Sequence, residues 1–309
     1  MEFYMTIDSG SDVTWLQCNP CSHCYRQSDP IFNPSASSTY KPLLCNSREC
    51  ESLQVSACRV DACIYQVTYG DGSYTLGNFA TETISFGSSA SVPNVALGCG
   101  HNNHGLFAGA AATSFSYCLV NRDSSSSSTL DFNSTQPADS VLAPLLSNPL
   151  INTFRYVDLI GISVGGRPVQ IPPYLFEIGR DGRGGVIIDS GTAVTRFRTE
   201  VYDLFRGAFA SMTRNLPLAP GFSLFDTCYD LSTMARVTVP TVSFQFAGGK
   251  TLPLPPTNYL IPVDNAGKFC FAFAGVLDSM SIIGNVQQQG MRVSYNLANK
   301  YIAFSPNKC

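Results

Sequence analysis

Charged side chains are scarce in this sequence of 309 residues. Lys and Arg number 19 and Asp and Glu number 22, so they make up 13% of the chain, whereas an average soluble domain carries about 25%. The formal net charge is −3, and Lys and Arg form no cluster. Because binding to phosphates or to an anionic membrane surface depends on such a cluster, we expect neither nucleic acid nor a membrane surface as a partner.

Long apolar runs are also absent. No stretch reaches the ~18 consecutive apolar residues of a membrane-spanning helix, and the N-terminus shows neither the charged leader nor the apolar core of a signal peptide. Hydrophobic residues nevertheless make up 44% of the chain, and the mean hydropathy is +0.07. This composition predicts a folded protein of one large or two medium domains without a membrane span.

Cysteine, in contrast, is abundant. Nine of the twelve cysteines lie between Cys18 and Cys118, and three follow at Cys228, Cys270 and Cys309. Because both counts are odd, at least one disulfide must join the two regions if all twelve cysteines pair. So many thiols indicate an oxidising compartment, and we expect a secreted or endomembrane protein.

Short apolar or alternating segments, separated by Gly, Pro, Asn and Ser, recur along the chain and predict β-strands. These segments cover residues 3–7, 63–69, 78–86, 94–99, 155–164, 185–191, 241–246 and 291–297. Only residues 199–214 have helical spacing, with one apolar side formed by Val201, Leu204, Phe205, Phe209 and Met212. The fold class predicted from these patterns is mostly β.

Two features divide the chain near its middle. Residues 123–137 are rich in serine and include the sequon at Asn133, which predicts an exposed, glycosylated loop. Residues 144–149 read Pro-Leu-Leu-Ser-Asn-Pro and are interpreted as a connection between lobes. We therefore expect an N-terminal lobe at 1–150 and a C-terminal lobe at 151–309.

One internal repeat places the same short motif in each expected lobe. Residues 8–11 read Asp-Ser-Gly-Ser and residues 189–192 read Asp-Ser-Gly-Thr, and each follows an apolar strand. The glycine permits a tight turn that brings a backbone N–H to the carboxylate, and the hydroxyls are further donors. If Asp8 and Asp189 lie side by side, repulsion leaves one proton shared between them. Such a pair can activate a water and protonate a peptide carbonyl, which is acid-pH peptide hydrolysis.

These motifs resemble the paired active-site loops of pepsin-like aspartic proteases. The stretch Tyr-Gly-Asp-Gly-Ser at 69–73 is similar to that family's flap. Residues 15–25, 29–34, 115–118 and 281–289 resemble the plant nepenthesin-type branch, with the greatest similarity to the "aspartic protease in guard cell" group. The resemblance runs from Phe3 to Cys309. It implies a bilobal, mostly β fold with an active-site cleft between the lobes and a cysteine-rich insert at about 18–63.

The resemblance also implies roles for individual residues. Asp8 and Asp189 correspond to the catalytic pair of an aspartic endopeptidase that acts on polypeptides at acidic pH without a cofactor or metal. Tyr69 corresponds to the flap tyrosine, and Trp15 to the aromatic residue that holds it. Two pairs of supporting hydroxyls are implied as well. Those of Ser11 and Thr192 bond the outer carboxylate oxygens. Those of Ser9 and Ser190 contribute to a hydrogen-bonded grip between the lobes. We expect a monomer.

A disulfide pattern follows from the same resemblance. It pairs Cys18–Cys21, Cys24–Cys99, Cys45–Cys63, Cys50–Cys58, Cys118–Cys309 and Cys228–Cys270. In this pattern Cys118–Cys309 is the one bridge between lobes, as the odd counts require.

Two departures from the family favour an alternative function. Residues 282–284 match the apolar-apolar-Gly element beneath the second catalytic loop, but the first lobe has no counterpart, and about fifteen to twenty residues are expected to be missing between Leu106 and Phe115. Asp8 also lies eight residues from the start, where the family has earlier strands. The alternative is a truncated or spliced homologue with impaired catalysis that acts as a binding or inhibitor protein. A chain that does not fold cooperatively is a third hypothesis.

Several motifs have simpler explanations. The two aspartates could each stabilise an ordinary turn, as Asp71 could in the flap hairpin. The spacing of Cys18, Cys21, His23 and Cys24 is compatible with zinc, although zinc sites are uncommon among disulfide-forming cysteines. His101 and His104 could likewise bind a metal, and we interpret them as surface loop residues.

Overall fold

The fold is described here from a computed structural model of the chain. The structure describes residues 3, 8–27, 30–69, 72–86, 90–104, 114–121, 124–132, 136–151 and 153–309. Strands predominate over helices in these ranges, which confirms the mostly β fold class. The chain forms two compact units, residues 1–111 and 112–309.

The first unit contains one six-stranded sheet and a short helix. The strands are β1 (Trp15–Gln17), β2 (Lys41–Pro42), β3 (Ser56–Arg59), β4 (Ala62–Thr68), β5 (Tyr74–Phe86) and β6 (Ala90–His104), and the helix is α1 (Arg48–Glu51). The order in the sheet is β1-β6-β5-β4-β3, with β2 paired to β5. Among these described strands, β1 alone runs parallel to its neighbour, with Leu16 opposite Cys99 on β6.

The core of this unit is small and relies on disulfides as well as on apolar packing. Trp15, Tyr65 and Phe79 are buried together with Cys50 and Cys63. The alternation of β4 explains the arrangement, because residues 63 and 65 point to the buried face.

The second unit contains the remaining strands and the long helix. The first strands of this unit are β7 (Ser114–Cys118), β8 (Thr129–Phe132), β9 (Val141–Leu146), β10 (Tyr156–Val157), β11 (Leu159–Val164), β12 (Arg167–Pro168), β13 (Val186–Ile188), β14 (Thr195–Arg198) and β15 (Leu218–Ala219). The others are β16 (Cys228–Asp230), β17 (Val242–Phe246), β18 (Lys250–Leu254), β19 (Leu260–Pro262), β20 (Lys268–Phe271), β21 (Phe273–Val276), β22 (Ser281–Ile283), β23 (Met291–Asn296) and β24 (Tyr301–Pro306). The helices are α2 (Thr199–Met212) and α3 (Asn285–Gln288).

Three sheets form this unit. A ten-stranded sheet has the order β21-β14-β22-β13-β10-β9-β24-β23-β7-β8, and two four-stranded sheets have the orders β12-β11-β17-β18 and β15-β16-β20-β19. Strands β7 and β9 pair with β23 and β24, which is why residues 112–150 group with the second unit. The expected lobe boundary near residue 150 is not tested by this grouping and stays a prediction.

Helix α2 occupies the residues expected from the sequence, but its buried side differs at one position. Val201, Phe205 and Phe209 are buried as expected, whereas Leu204 is 42% exposed. Tyr202 takes its place in the buried face, where its hydroxyl donates to Asp226 at 2.5 Å. The sequence pattern predicted Leu204 on the buried side because leucine is more apolar than tyrosine. A tyrosine can be buried equally well when its hydroxyl has a hydrogen-bond partner.

The strand that leads into Asp189 lies beside β22. Strands β13 and β22 are parallel, with Ile188 opposite Ile283, and the Asp189 N–H donates to the Ile283 carbonyl at 3.0 Å. A Cβ atom on Gly284 would lie 2.4 Å from the carbonyl carbon of Val194. The apolar-apolar-Gly element therefore passes beneath the second Asp-Ser-Gly loop, as the sequence predicted. The corresponding region of the first lobe, residues 105–113, lies outside the described residues.

All twelve cysteines form disulfides, but the predicted pairing is wrong in four of the six bridges. Cys118–Cys309 and Cys228–Cys270 are confirmed. The other bridges are Cys18–Cys99, Cys21–Cys24, Cys45–Cys58 and Cys50–Cys63, with Cα–Cα distances of 5.3, 6.0, 5.4 and 6.0 Å.

The physical reason is visible in the β3–β4 hairpin of the first unit. Cys58 and Cys63 lie directly opposite each other, so sequence spacing does not decide which of them bonds which partner. Burial decides it, because Cys63 and Cys50 both enter the core, whereas Cys58 is exposed and bonds the half-buried Cys45.

Helices long and apolar enough to cross a membrane are absent from the part of the chain that the structure describes.

Glu82 on β5 anchors the segment before β2. It is buried, and its carboxylate accepts hydrogen bonds from Ser37 Oγ at 2.6 Å, from the Thr39 hydroxyl and from the Thr83 N–H at 2.7 Å. Burial alone would raise the pKa of Glu82, but the bonds from Ser37, Thr39 and Thr83 outweigh burial and lower the pKa below its ordinary value.

We expect Glu82 to make the stability of the first unit depend on pH. Because its pKa is lower in the folded than in the unfolded state, its stabilisation is present above the ordinary pKa of glutamate and is lost as the pH falls through the lower folded value. Glu82→Gln should therefore flatten the fall in unfolding free energy between about pH 5 and pH 3. Denaturant titrations at several pH values measure this, with the exposed Glu177→Gln as a control that should leave the slope unchanged.

We also expect alanine substitutions at two glycines to change the unfolding free energy in opposite directions. Gly284→Ala should lower the unfolding free energy by roughly 3 kcal/mol or more, because backbone atoms occupy the space of the new methyl group. Gly207 in α2 has no atom within 4 Å of a Cβ position, so Gly207→Ala should raise it by about 0.5–1 kcal/mol. Thermal and denaturant unfolding measure both, and equal effects would contradict the packing described for Gly284.

Candidate active site

The first Asp-Ser-Gly loop holds a buried carboxylate. Asp8 is 5% exposed, and the Gly10 N–H donates to its Oδ1 atom at 2.8 Å. A hydrogen bond from the backbone stabilises the ionised form of a carboxylate that has been removed from water. The turn made by Ser9 and Gly10 is therefore what allows an aspartate at this depth.

The second loop has the same geometry. The Gly191 N–H donates to Asp189 Oδ1 at 2.8 Å, and the Thr192 hydroxyl donates to Asp189 Oδ2 at 2.6 Å. Asp189 is half-buried and its own N–H is held by β22. The internal repeat in the sequence therefore corresponds to a repeated hydrogen-bond arrangement.

The supporting hydroxyls do not all behave as expected. Thr192 bonds the outer oxygen of Asp189, as predicted, but the predicted bond from Ser11 to Asp8 is not present. The Ser11 hydroxyl lies near Tyr69 and is buried without a hydrogen bond of standard geometry among the described residues. The sequence identified a hydroxyl at each position, but the direction of a side chain is decided by what packs around it.

Ser9 and Ser190 are the expected grip residues. Ser190 is 2% exposed, and its carbonyl accepts a hydrogen bond from Asn285 Nδ2 at 2.9 Å. Ser9 is half-buried. Their role between the lobes stays a prediction.

Trp15 and Tyr69 are joined in the first unit. The Trp15 indole Nε1–H donates to the Tyr69 hydroxyl at 2.9 Å. Burial and, to a smaller extent, the negative charge of Asp8 raise the pKa of Tyr69 to about 12, although the hydrogen bond from Trp15 opposes this rise. Tyr69 is therefore a neutral phenol at any physiological pH, so its hydroxyl remains available as a donor.

Tyr69 lies at the start of a tight hairpin between β4 and β5. The Tyr69 N–H donates to the Ser73 carbonyl at 2.8 Å, and the Gly72 N–H donates to the Tyr69 carbonyl at 3.0 Å. Gly72 has φ +84°, a left-handed conformation that favours glycine. Asp71 lies outside the described residues.

Several of the residues considered as metal ligands form disulfides or hydrogen bonds instead. Cys18, Cys21 and Cys24 are in disulfides. Both ring nitrogens of His101 are hydrogen-bonded, Nδ1 with the Pro20 carbonyl at 2.9 Å and Nε2 with Asn78 Oδ1 at 2.8 Å. Within the described residues no three His, Cys, Asp or Glu side chains are grouped so that they could hold a metal ion.

One buried side chain that supports the second loop was not assigned a role from the sequence. Gln287 is 1% exposed; its Oε1 accepts from the Thr195 N–H at 2.8 Å, and its Nε2 donates to the Asn258 and Ala272 carbonyls. The run of three glutamines at 287–289 carries no sequence signal for this role, because glutamine is mostly an exposed residue.

Curated proteins of known class resemble this chain over nearly its full length. "Aspartyl protease family protein 2" of Arabidopsis thaliana is 50% identical, with 99% of this chain and 68% of that protein covered. "Protein ASPARTIC PROTEASE IN GUARD CELL 2" of Arabidopsis thaliana is 46% identical, with coverages of 99% and 69%. "Aspartic proteinase nepenthesin-1" of Nepenthes gracilis is 39% identical, with coverages of 99% and 75%.

The first of these alignments also bears on the expected deletion. It spans 331 positions, whereas this chain has 309 residues, so at least 22 aligned positions have no residue from this chain. A deletion of that size is compatible with the shortening expected between Leu106 and Phe115.

Solved structures and family models agree with the fold. The structure of basic 7S globulin from soybean matches with a TM-score of 0.73 at 17% identity, covering 99% of this chain and 89% of that chain. The structure of conglutin gamma from lupine seeds matches with a TM-score of 0.71 at 17% identity, covering 99% of this chain and 88% of that chain. The family models described as "Xylanase inhibitor N-terminal" and "Xylanase inhibitor C-terminal" match residues 1–113 and 155–306. The expected two-lobe β fold is thereby confirmed, and the identity to the curated relatives shows that this chain belongs to the plant aspartyl protease family, whose members are aspartic-type endopeptidases.

Proposed function

We propose that the chain hydrolyses peptide bonds at acidic pH, with Asp8 and Asp189 as the catalytic dyad. The observation that carries this proposal is the repeated loop geometry, in which a glycine N–H donates to Oδ1 of each aspartate at 2.8 Å. Each loop alone would be an ordinary turn. Two copies of one loop, one in each unit of a protease fold, support a paired role.

The proposed reaction uses one carboxylate as base and the other as acid. The ionised carboxylate takes a proton from water, the oxygen of which attacks the peptide carbonyl carbon, while the protonated carboxyl gives its proton to the carbonyl oxygen. The tetrahedral diol then collapses: one of its hydroxyls returns a proton to the dyad as the C=O bond re-forms, the C–N bond breaks, and the amine nitrogen receives a proton from the dyad. One proton is shared by the pair at the start and at the end, and activity therefore requires a pH at which the pair holds one proton.

The substrate in this proposal is a polypeptide, and Tyr69 covers it as part of the flap. Six disulfides indicate an oxidising compartment, so we propose a secreted or endomembrane location. The glycosylation expected at Asn133 falls outside the described residues and stays a prediction, as does the monomeric state. The inhibitor alternative is not favoured, because the curated relatives reported above are named as proteases.

We expect Asp8→Asn and Asp189→Asn each to lower kcat by at least about 1,000-fold. Asparagine keeps the oxygen that accepts the glycine N–H but cannot take or give the shared proton. Cleavage of a denatured protein between pH 3 and pH 5 measures this.

Asp264→Asn is the matched control. Asp264 is exposed and accepts a hydrogen bond from the N–H two residues on, at 2.9 Å to Ala266, as the loop aspartates do. It should retain activity. If either Asp8→Asn or Asp189→Asn kept wild-type turnover with its disulfides intact, the proposed dyad would be wrong.

We also expect Tyr69→Phe and Trp15→Phe to lower kcat/KM by about tenfold each, because each removes one partner of the same hydrogen bond. The double variant should be little worse than either single variant, which is the signature of two residues that act through one bond. Steady-state kinetics on a peptide substrate measure this cycle, with the exposed Tyr174→Phe as a control. Fully additive losses would show that the two residues act independently.

A further inference from the structure

The second Asp-Ser-Gly loop rests on the start of helix α3. The Asn285 N–H donates to the Thr192 carbonyl at 2.7 Å, and the Val286 N–H donates to the Ala193 carbonyl at 3.0 Å. The side chain of Asn285 adds a third bond, because its Nδ2 atom donates to the Ser190 carbonyl at 2.9 Å. Carbonyls in the loop and directly after it therefore accept donors from the first two residues of one short helix.

The bond to Ser190 bears on Asp189 because a peptide group is planar. The Ser190 carbonyl and the Gly191 N–H belong to the same peptide group, so they rotate together as a rigid unit. The carbonyl end of this unit is bonded by Asn285, and the N–H end donates to Asp189 Oδ1 at 2.8 Å. A restraint on the carbonyl is therefore also a restraint on a donor of the carboxylate.

The glycine of the loop makes such a restraint necessary. Glycine accepts backbone conformations that other residues avoid, so the peptide group that precedes Gly191 can rotate at little cost. Gly191 is exposed, and packing around it contributes little to holding the peptide. Rotation would turn the N–H away from the half-buried carboxylate of Asp189, and a hydrogen bond at the carbonyl end opposes that rotation.

The orientation of the Asn285 amide is itself fixed by hydrogen bonds. Gln289 Nε2 donates to Asn285 Oδ1 at 2.9 Å, and Asn258 Nδ2 donates to the Gln289 carbonyl at 2.7 Å. An asparagine amide has one accepting end and one donating end. Because Gln289 engages the oxygen, the nitrogen faces the loop. An ionised aspartate in this place could only accept, so the amide supplies what the Ser190 carbonyl needs.

We propose that Asn285 is a positioning residue for Asp189, which acts by holding the Ser190–Gly191 peptide group so that the Gly191 N–H stays directed at Asp189 Oδ1. Gln289 supports it by fixing the orientation of the Asn285 amide. The control of the peptide group is a property of the second unit by itself. Its consequence for catalysis rests on the proposed function, in which Asp189 is one of the two catalytic carboxylates.

Amide hydrogen exchange at the two loop glycines tests the positioning without any turnover. In Asn285→Ala, the Gly191 N–H should exchange at least about tenfold faster than in the wild type, because its hydrogen bond to a charged group is weakened. The Gly10 N–H, which donates to Asp8 at 2.8 Å, should exchange at the wild-type rate. NMR spectra of the full chain with isotope-labelled glycine measure both rates. Unchanged exchange at Gly191 would overturn the proposal.

Asn148→Ala is the matched control for lost stability. Asn148 is buried in the same unit, and its Nδ2 atom donates to the Gly182 carbonyl at 2.7 Å. Its Oδ1 atom also accepts from the Leu150 and Ile151 N–H groups, so the variant should lose at least as much stability as Asn285→Ala. The Gly191 N–H should nevertheless exchange at the wild-type rate. Equally fast exchange in both variants would show that general stability controls the loop, and the proposal would be wrong.

Asn285→Asp separates the donor from the shape of the side chain. The new carboxyl group can donate to the Ser190 carbonyl only when it is protonated, and the ordinary pKa of aspartate is about 3.9. Relative to the wild type at the same pH, exchange at Gly191 should be unchanged within about twofold near pH 3 and faster by about tenfold near pH 6. A variant that behaved in the same way at both pH values would contradict a role as donor.

Kinetics connect the positioning to catalysis. Asn285→Ala should lower kcat by about tenfold and change KM by less than about twofold, because the carboxylate and not a contact to the substrate is disturbed. Wild-type kcat together with fast exchange at Gly191 would overturn the catalytic part of the proposal. If Asp189→Asn retains wild-type turnover, the proposed function is wrong, whereas the exchange at Gly191 still decides whether Asn285 holds the loop.

Discussion

The structure depends on one recurrent interaction, a backbone N–H donated to the carboxylate of an aspartate in each Asp-Ser-Gly loop. An aspartate carboxylate at the end of a buried strand is unfavourable unless donors replace the water it has lost. In both loops the donor is the glycine two residues on, at 2.8 Å. The tripeptide Asp-Ser-Gly is thus the smallest unit that supplies the carboxylate, the turn and the donor together, and the rest of each unit serves to keep that turn in place.

The second unit does this by close packing. Strand β22 binds the N–H of Asp189, Gly284 lies against the backbone of Val194, and Gln287 bonds the N–H of Thr195. The aromatic core of this unit includes Phe205 of α2, the ring of which packs against those of Phe271 and Phe273. Such a site is rigid because each supporting group is itself buried and satisfied.

The first unit has fewer buried apolar residues and uses covalent bonds more heavily. Four of the six disulfides lie within residues 18–99, and Cys50–Cys63 is part of the core itself. Disulfides stabilise chiefly by restricting the unfolded chain, which suits a sheet with a small core. The hairpin that carries Tyr69 connects β4 and β5 of this sheet, and the Trp15 indole donates a hydrogen bond to the Tyr69 hydroxyl.

The sequence by itself determined the features that depend on local pattern: the predicted strand segments from residue 63 onward, helix α2, the two Asp-Ser-Gly loops and at least one disulfide between the two cysteine groups. The tertiary structure alone decided which cysteines pair, because Cys58 and Cys63 lie directly opposite each other and differ only in burial, Cys63 being in the core and Cys58 exposed. It also decided that Tyr202 and not Leu204 faces the core, and that the Ser11 hydroxyl does not bond Asp8. The rings of His23 and His104, which are 81 positions apart in the sequence, lie with their centroids 5.3 Å apart. No periodicity encodes such a contact, because only the pairing of β5 with β6 and the attachment of the 19–27 loop bring those rings together.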